Sequence, residues 1–271
     1  MKGIVSRENA NFKALRRLVE SSRERKKSGL SLLDGPHLVS AYRDHVGLPE
    51  QLVVSTAGLE NPEIRAIMDR LSVCDALVLS DVLFKDISPV TNPTGIVAVV
   101  RTPSPRPLPA KLDACIMLED LQDPGNLGSI LRSAAAAGVQ HVLLSDKSVH
   151  AWSPRVLRAG MGAHFMLQVY ERADLIAAAG AFPGTVIATR AGAPRALFET
   201  DLSGTIALLF GNEGAGVSAA LRTTAHAEVA IPMPGKTESL NVAAAVAVCL
   251  FERVRQLSAT SDHVRSKPVG R

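Results

Sequence analysis

Residues 205–242 read TIALLFGNEGAGVSAALRTTAHAEVAIPMPGKTESLNV. An apolar run at 205–210 breaks into a Gly-rich turn that carries one carboxylate, Glu213. A short continuous apolar run bounded by glycine reads as a strand buried on both faces, the kind found in parallel sheets. A second apolar stretch at 227–231 ends in Pro232, Pro234 and Gly235, and Ser239-Leu240-Asn241 then opens a helix made almost wholly of Ala and Val. Two unusual turns at the ends of two strands suggest one site built from two loops, because open parallel sheets bind ligands at the carboxyl ends of their strands.

The alternation continues outward from this stretch. Strands are expected at 114–119, 140–144, 166–169, 185–189, 205–210 and 227–231, with helices at about 126–137, 154–160, 172–179, 216–223 and 239–257. Apolar strands alternating with helices predict an α/β domain with a parallel sheet covered on both faces. The first third of the chain alternates too. Phe12, Leu15, Leu18 and Val19 recur at helical spacing. Leu30–Leu33 is apolar, Gly35-Pro36 starts a helix through Tyr42, and Asn61-Pro62 is an N-cap followed by proline at the first helical position. Gln51–Val54, Ala76–Leu79 and Gly95–Arg101 read as strands. Four prolines in RTPSPRPLPAKL (101–112) cannot join a helix or a central strand. The expected domains are therefore 1–102, a small α/β domain; 103–112, a Pro-rich linker; 113–258, the larger α/β domain; and 259–271, a polar disordered tail.

At 271 residues there is ample material for a core. The apolar segment 242–251 is too short to span a bilayer, and the N-terminus has no apolar signal core. Cys74, Cys115 and Cys249 are far apart in apolar contexts, which fits reduced thiols of a cytoplasmic protein better than a disulfide or zinc set. No histidine pair has metal-ligand spacing, so no metal is expected. The net charge is +4, yet residues 1–30 alone carry nine Lys/Arg against three acids. That basic segment on a near-neutral body suggests a phosphate-rich partner, with Arg16, Arg17, Arg25, Lys26 and Lys27 on one helix at 13–27 as candidate RNA contacts. The bland alternative is a solvated helix face.

Three motifs carry candidate chemistry. In LEDLQDPGNLGSILRSAAAAGV (118–139) an apolar strand meets a turn, and Asn126 is placed to cap the next helix, on which Arg132 follows. A plain cap and a surface charge would explain both. In LLFGNEGAGVS (208–218) the spacing of Gly211, Gly214 and Gly216 is not the dinucleotide fingerprint, and the Lys-Ser/Thr pair of a phosphate loop is missing. Glu213 repels phosphate and favours a cationic partner, for which Arg132 is the best candidate. In IPMPGKTESLNVAAAVAV (231–248) Ser239 and Asn241 flank Leu240 ahead of a helix apolar on every side, which must be buried in a core or an interface. His164 lies in a middle segment, WSPRVLRAGMGAHF (152–165), and has both a site reading and a core reading.

Together, in this order and spacing, the three motifs resemble those of the SpoU/TrmH branch of the SPOUT methyltransferases. The resemblance covers 114–257. The N-terminal part is similar to the ribosomal-protein-like RNA-binding domain of the ribosomal RNA enzymes, with Asp34-Gly35 where that domain usually has Glu-Gly. The resemblance implies a deep trefoil knot in the C-terminal part of the sheet, a homodimer joined through the C-terminal helix, and S-adenosylmethionine as cofactor. Gly211, Ile231 and Leu240 match cofactor positions, with Thr189 at another strand end as a further candidate. The implied reaction is methyl transfer to a ribose 2′-oxygen of structured RNA, with large-subunit rRNA as the expected substrate and tRNA as the alternative.

The family assigns activation of the hydroxyl to Arg132, with Asn126 and Glu213 positioning it and Ser239 and Asn241 supporting the site. An arginine is effectively never neutral in proteins, and a carboxylate beside it strengthens the cation. A bidentate hold on the target phosphate is the more physical role for Arg132. Two other readings stand beside this one: a non-catalytic RNA-binding or ribosome-assembly factor, and a nucleotide-dependent α/β enzyme, which the absence of both phosphate-loop patterns disfavours.

Overall fold

The computed structural model describes residues 2–71, 75–88, 90 and 92–265, with 260–265 as backbone only. Cys74 and residues 266–271 of the expected tail lie outside the described residues. Two compact units emerge: Met1–Ser104 with His150–Met166, and Pro105–Val149 with Leu167–Arg271.

The first unit runs β1 (Lys2–Ile4), α1 (Ala10–Glu20), α2 (Ser22–Ser28), β2 (Leu30–Asp34), α3 (Pro36–His45), β3 (Gln51–Ser55), α4 (Pro62–Arg70), β4 (Asp75–Leu79), α5 (Asp81–Ile87) and β5 (Ile96–Arg101). Its sheet has the order β1-β4-β3-β5-β2. The first three pair in parallel, and β5 pairs antiparallel with β3 and β2. Phe12 and Leu15 of α1 are buried in the same core as Ile4, Leu79, Leu83 and Phe84.

Two elements of this unit had no sequence signal strong enough to read. β1 is only three residues long and joins an edge, and α5 hides in a short apolar run until Ser80 is seen to cap it. The basic stretch expected as one helix at 13–27 is two. Ser21 leaves helical geometry (φ −118°, ψ 112°) and its hydroxyl accepts from the Glu24 amide, starting α2. The segment His150–Met166, read from sequence within 113–258, packs with this unit. It contains α7 (Pro154–Gly160), which lies against β2, and His164, which is buried beside Trp152 and bonded to the Ala151 carbonyl.

The second unit contains β6 (Ala114–Leu118), α6 (Pro124–Ala136), β7 (His141–Leu144), β8 (Gln168–Tyr170), α8 (Leu175–Gly180), β9 (Thr185–Thr189), β10 (Arg195–Ala196), β11 (Ile206–Phe210), α9 (Ala219–Arg222), β12 (Ala227–Ala230) and α10 (Val242–Arg265). The sheet order is β10-β12-β9-β11-β6-β7-β8, and every pairing is parallel. Alternate residues serve opposite faces. Cys115, Met117, Ala207 and Leu209 join Leu175 and Leu221 in one core layer, while Ile116, Leu118, Leu208 and Phe210 are buried on the other face. α6 packs along α10. Because β12, β9, β11 and β6 are neighbours, their carboxyl ends sit side by side and deliver Ile231, Thr189, Gly211 and Glu119 to one end of the sheet. The final helix starts later than expected and continues to Arg265, since no proline or glycine occurs before Pro268. No described helix is long and apolar enough to cross a membrane.

Candidate active site

α6 begins at Pro124, two residues earlier than its sequence suggests, and that shift changes what Asn126 does. Asp123, not Asn126, is the N-cap: its carboxylate accepts from the Asn126 amide at 2.7 Å, and Pro124 supplies the first helical φ. The Asn126 side chain is thereby released. Its Nδ2 donates to Glu213 Oε1 at 3.2 Å, and its Oδ1 accepts from Asn241 Nδ2 at 2.9 Å. Asn241 in turn caps α10, its Oδ1 accepting from the Ala243 and Ala244 amides at 2.9 and 3.4 Å. One residue from each of the three motifs is thus joined in a single chain of hydrogen bonds, Asn241 to Asn126 to Glu213.

Glu213 is the acceptor at the end of that chain. The Asp123 amide donates to Oε1 at 3.0 Å and the Gln122 amide to Oε2 at 3.2 Å. Burial would raise its pKa, but the bonds from Asp123, its own amide, Asn126 and Gln122 together outweigh burial and hold the carboxyl below its ordinary range. The partner expected for Glu213 was Arg132, and the structure corrects this. Arg132 is exposed on α6, and among the described residues it makes no hydrogen bond or ion pair. It is Asn126 that engages Glu213, while Arg132 lies six positions on, roughly 9 Å of rise and about 120° around the helix axis.

Gly211 lies where two backbones nearly touch. A Cβ there would stand 1.9 Å from the Gly216 carbonyl carbon and 2.1 Å from the Val217 nitrogen. The turn between them is closed by paired Asn212 and Gly216 amides and carbonyls, and Asn212 Oδ1 accepts from the Gly214 and Ala215 amides. Asn212 Nδ2 donates to the Asp120 carbonyl at 2.9 Å, tying the second motif to the first. Glu119 adds a second tie, accepting from Ser218 Oγ at 2.6 Å and its amide at 2.7 Å. Asp120 adopts a left-handed φ of 53°, and its carboxylate accepts from Ser145 Oγ at 2.7 Å. Reading the motifs missed Asn212, Asp120 and Glu119 as fasteners; a polar pair ending an apolar strand was the available signal.

A cleft opens above these strand ends. Its polar lobe, about 410 Å3, is lined by Thr189, Gly211, Asn212, Glu213, Ser239 and Leu240, with Arg190 and Arg222 on its wall. An adjoining lobe of about 110 Å3 shares Thr189, Arg190, Ser239 and Leu240, and adds Val229, Ile231 and Met233. Thr189, Gly211, Ile231 and Leu240 therefore come together as one lining, with Thr189 Oγ1 donating to the Leu209 carbonyl at 3.0 Å. Ser239 is exposed at the shared rim. A cavity of about 540 Å3 in the first unit, among Asn11, Gln51, Met68 and Asp75, holds none of the motif residues. No group of His, Cys, Asp and Glu among the described residues could hold a metal ion.

Of the five basic residues read as RNA contacts, Arg16, Arg17, Lys26 and Lys27 are exposed. Arg25 is not available. It is 6% exposed, and its Nη1 donates to the carbonyls of Leu18 and Val19 at 2.6 and 2.9 Å. It completes the orphan carbonyls at the end of α1, a role that only the break at Ser21 creates.

Comparison with known proteins agrees with this geometry. Residues 113–251 match the SpoU rRNA Methylase family, and residues 9–98 match the MRM3-like substrate binding domain. The chain is 38% identical over 269 residues to an uncharacterized tRNA/rRNA methyltransferase of Synechocystis, covering 95% of each. It is 33% identical over 257 residues to the 23S rRNA (guanosine(2553)-2′-O)-methyltransferase RlmP of Bacillus subtilis, covering 93% of this chain and 98% of that one. Among solved structures, the AdoMet-bound rRNA methyltransferase of Sinorhizobium meliloti superposes with a TM-score of 0.82 at 28% identity, over 94% of this chain and 98% of that one. The AdoMet complex of the SpoU methyltransferase AviRb from Streptomyces viridochromogenes does so with 0.82 at 27% identity, over 92% and 98%. The chain belongs to the SpoU rRNA methylase family.

Proposed function

We propose that this protein transfers a methyl group from S-adenosylmethionine to a ribose 2′-oxygen of large-subunit ribosomal RNA in the cytoplasm. The observation that carries the reading is the hydrogen-bond chain Asn241–Asn126–Glu213, which locks three separate loops around one cleft. The names of its relatives supply the substrate class: the Bacillus subtilis protein is named for a 2′-O position of 23S rRNA.

The cleft suits the cofactor by its chemistry. Val229, Ile231, Met233 and Leu240 give an apolar lobe for a flat base. Glu213 and the two arginines give the larger lobe both signs of charge, as a zwitterionic amino-acid tail requires. When bound, S-adenosylmethionine supplies a methyl on a sulfonium centre, and that centre is its own leaving group. The protein must then orient the 2′-hydroxyl and let its proton leave. The N–H donors around Glu213 keep it ionised with a lowered pKa, so it shapes the turn and is a poor general base while its charge still faces the cleft. Arg132 projects from α6 with no partner among the described residues, and its planar fork suits a bidentate hold on the phosphate of the target nucleotide. Ser239, at the rim shared by both lobes, lies where the ribose would enter. The trefoil knot belongs to this reading; the close crossing at Gly211 and the return of the chain from β12 to pack α10 on α6 support it.

Incubation with methyl-labelled S-adenosylmethionine and unmodified rRNA or tRNA tests the proposal, with Arg132→Ala as control. Label in one 2′-O-methylnucleoside of rRNA, absent from the control, is the expected result. Label only in tRNA would move the substrate, and label on a base would overturn the acceptor atom. Cofactor binding without transfer to naked RNA or ribosomal particles would favour an assembly factor.

A further inference from the structure

Two arginines on the wall of the cleft have no part in the motifs. Arg190 follows Thr189 at the end of β9, and its backbone amide bonds to the Val229 carbonyl at 3.0 Å, so its root is fixed to the sheet. Arg222 ends α9. Both converge on Glu228 of β12, Arg190 Nε at 2.7 Å and Arg222 Nη1 at 3.5 Å. One carboxylate cannot neutralise two guanidinium groups, so the cluster keeps one surplus positive charge. Donors are left over as well. The Arg222 Nε is buried with no hydrogen-bond partner among the described residues. Arg190 spends Nε on Glu228 and Nη1 on the Ala191 carbonyl, at 3.3 Å, and no described group engages its Nη2.

We propose that Arg190 and Arg222, held together by Glu228, recognise the carboxylate of the cofactor's methionyl tail. This rests on the cofactor reading above. Both arginines line the polar lobe, which also contains Glu213. An amino-acid tail carries one carboxylate and one ammonium, and the lining of this lobe includes both a surplus cation and the Glu213 carboxylate. The Glu228 side chain is 29% exposed and those of Arg190 and Arg222 are 39% and 34% exposed, so the cluster is half-shielded and its charge acts at short range rather than as a diffuse surface field. Guanidinium pairs suit a carboxylate because their planar donors match its two oxygens.

The test compares S-adenosylmethionine with decarboxylated S-adenosylmethionine, which differs only in lacking the carboxylate. Both are titrated calorimetrically into the full chain, wild type and the Arg190→Met/Arg222→Met double variant. Wild type is expected to prefer the carboxylate form by about tenfold or more. In the double variant that preference falls towards one while affinity for the decarboxylated form stays the same, which also reports that the variant is folded. The single variants Arg190→Met and Arg222→Met, each leaving Glu228 one partner, carry the test if the double variant does not fold. An unchanged preference, or equal weakening of both ligands, overturns the proposal. So does a loss confined to RNA binding, which would assign the cluster to an RNA phosphate. If wild type binds neither ligand, the cofactor reading itself fails, and this proposal with it.

Discussion

At the scale of single residues the site depends on donors facing acceptors. Glu213 accepts from the Gln122 and Asp123 amides and from Asn126 Nδ2, with a longer contact from Asn212 Nδ2 at 3.5 Å. Glu213→Gln preserves shape but turns an NH2 towards backbone amides that also donate, so the change should cost about 1 kcal/mol at neutral pH and weaken cofactor binding. The pH dependence has a definite sign. A carboxylate whose folded pKa is lowered contributes stability fully above its unfolded value, near ~4.3, and loses it as pH falls through the lowered value. The difference in urea midpoint between wild type and Glu213→Gln should be widest near pH 7 and shrink as pH falls below 4. A gap that widens in acid would contradict the assignment. Gly211 is constrained by space. Gly211→Ala puts a Cβ 2.0 Å from the Gly216 oxygen, and since backbone must move rather than a side chain, the expected loss is about 3 kcal/mol or more. Thermal unfolding measures it, and a wild-type melting temperature would show that the crossing is loose. Arg132→Lys keeps the charge but not the fork; most methyl transfer should disappear while cofactor affinity stays level. A near-wild-type rate would count against bidentate positioning.

At the scale of elements, the strands and helices of the larger unit were legible because each apolar run is bounded by a cap or a glycine. β6, β9, β11 and β12 fall within a residue of the ends expected for them. The meeting of Thr189, Gly211, Ile231 and Leu240 in one cleft followed from the family pattern, and the order β12-β9-β11-β6 is the physical reason for it. What sequence did not disclose are choices decided in three dimensions. Either Asp123 or Asn126 satisfies the rule for an N-cap, and only the position of Glu213 shows that Asn126 is needed elsewhere. Arg25 looks like its basic neighbours until the break at Ser21 turns it inward. α10 was expected to be buried all round. Val246, Cys249 and Leu250 are buried, and the Cys249 thiol is pushed up to about 12 by that burial, yet Phe251 remains 49% exposed. An aromatic ring left half-exposed on a helix of this kind fits a second copy of the chain covering it. Phe251→Glu should weaken self-association by about tenfold or more, since each copy would lose a buried ring. Sedimentation of both proteins checks this, and a wild type that stays monomeric at micromolar concentration removes the dimer from the reading.

At the scale of the whole molecule, charge is divided unevenly. Residues 1–30 are strongly basic and the remainder slightly acidic. The structure refines which cations are free to act. Arg16 is paired with Glu20 at 2.6 Å, Lys13 with Glu8, and Arg7 with Asp86 at 2.9 Å. Arg17, Arg23, Lys26 and Lys27 are exposed and have no described partner. A cation already paired must give up its carboxylate before it can meet a phosphate, whereas an unpaired one releases only a counterion from the RNA. The surface on α1 and α2 should therefore act through Arg17, Lys26 and Lys27 and not through Arg25. Charge reversal at those three positions should weaken RNA binding. It should also reduce the slope of log affinity against log salt by about 2, close to 0.7 for each lost contact with single-stranded RNA. Cofactor affinity should stay unchanged, because the cleft lies in the other unit. Affinity that falls without a change in slope would mean that the reversals act through the fold, and no change in either would move the RNA surface away from these helices.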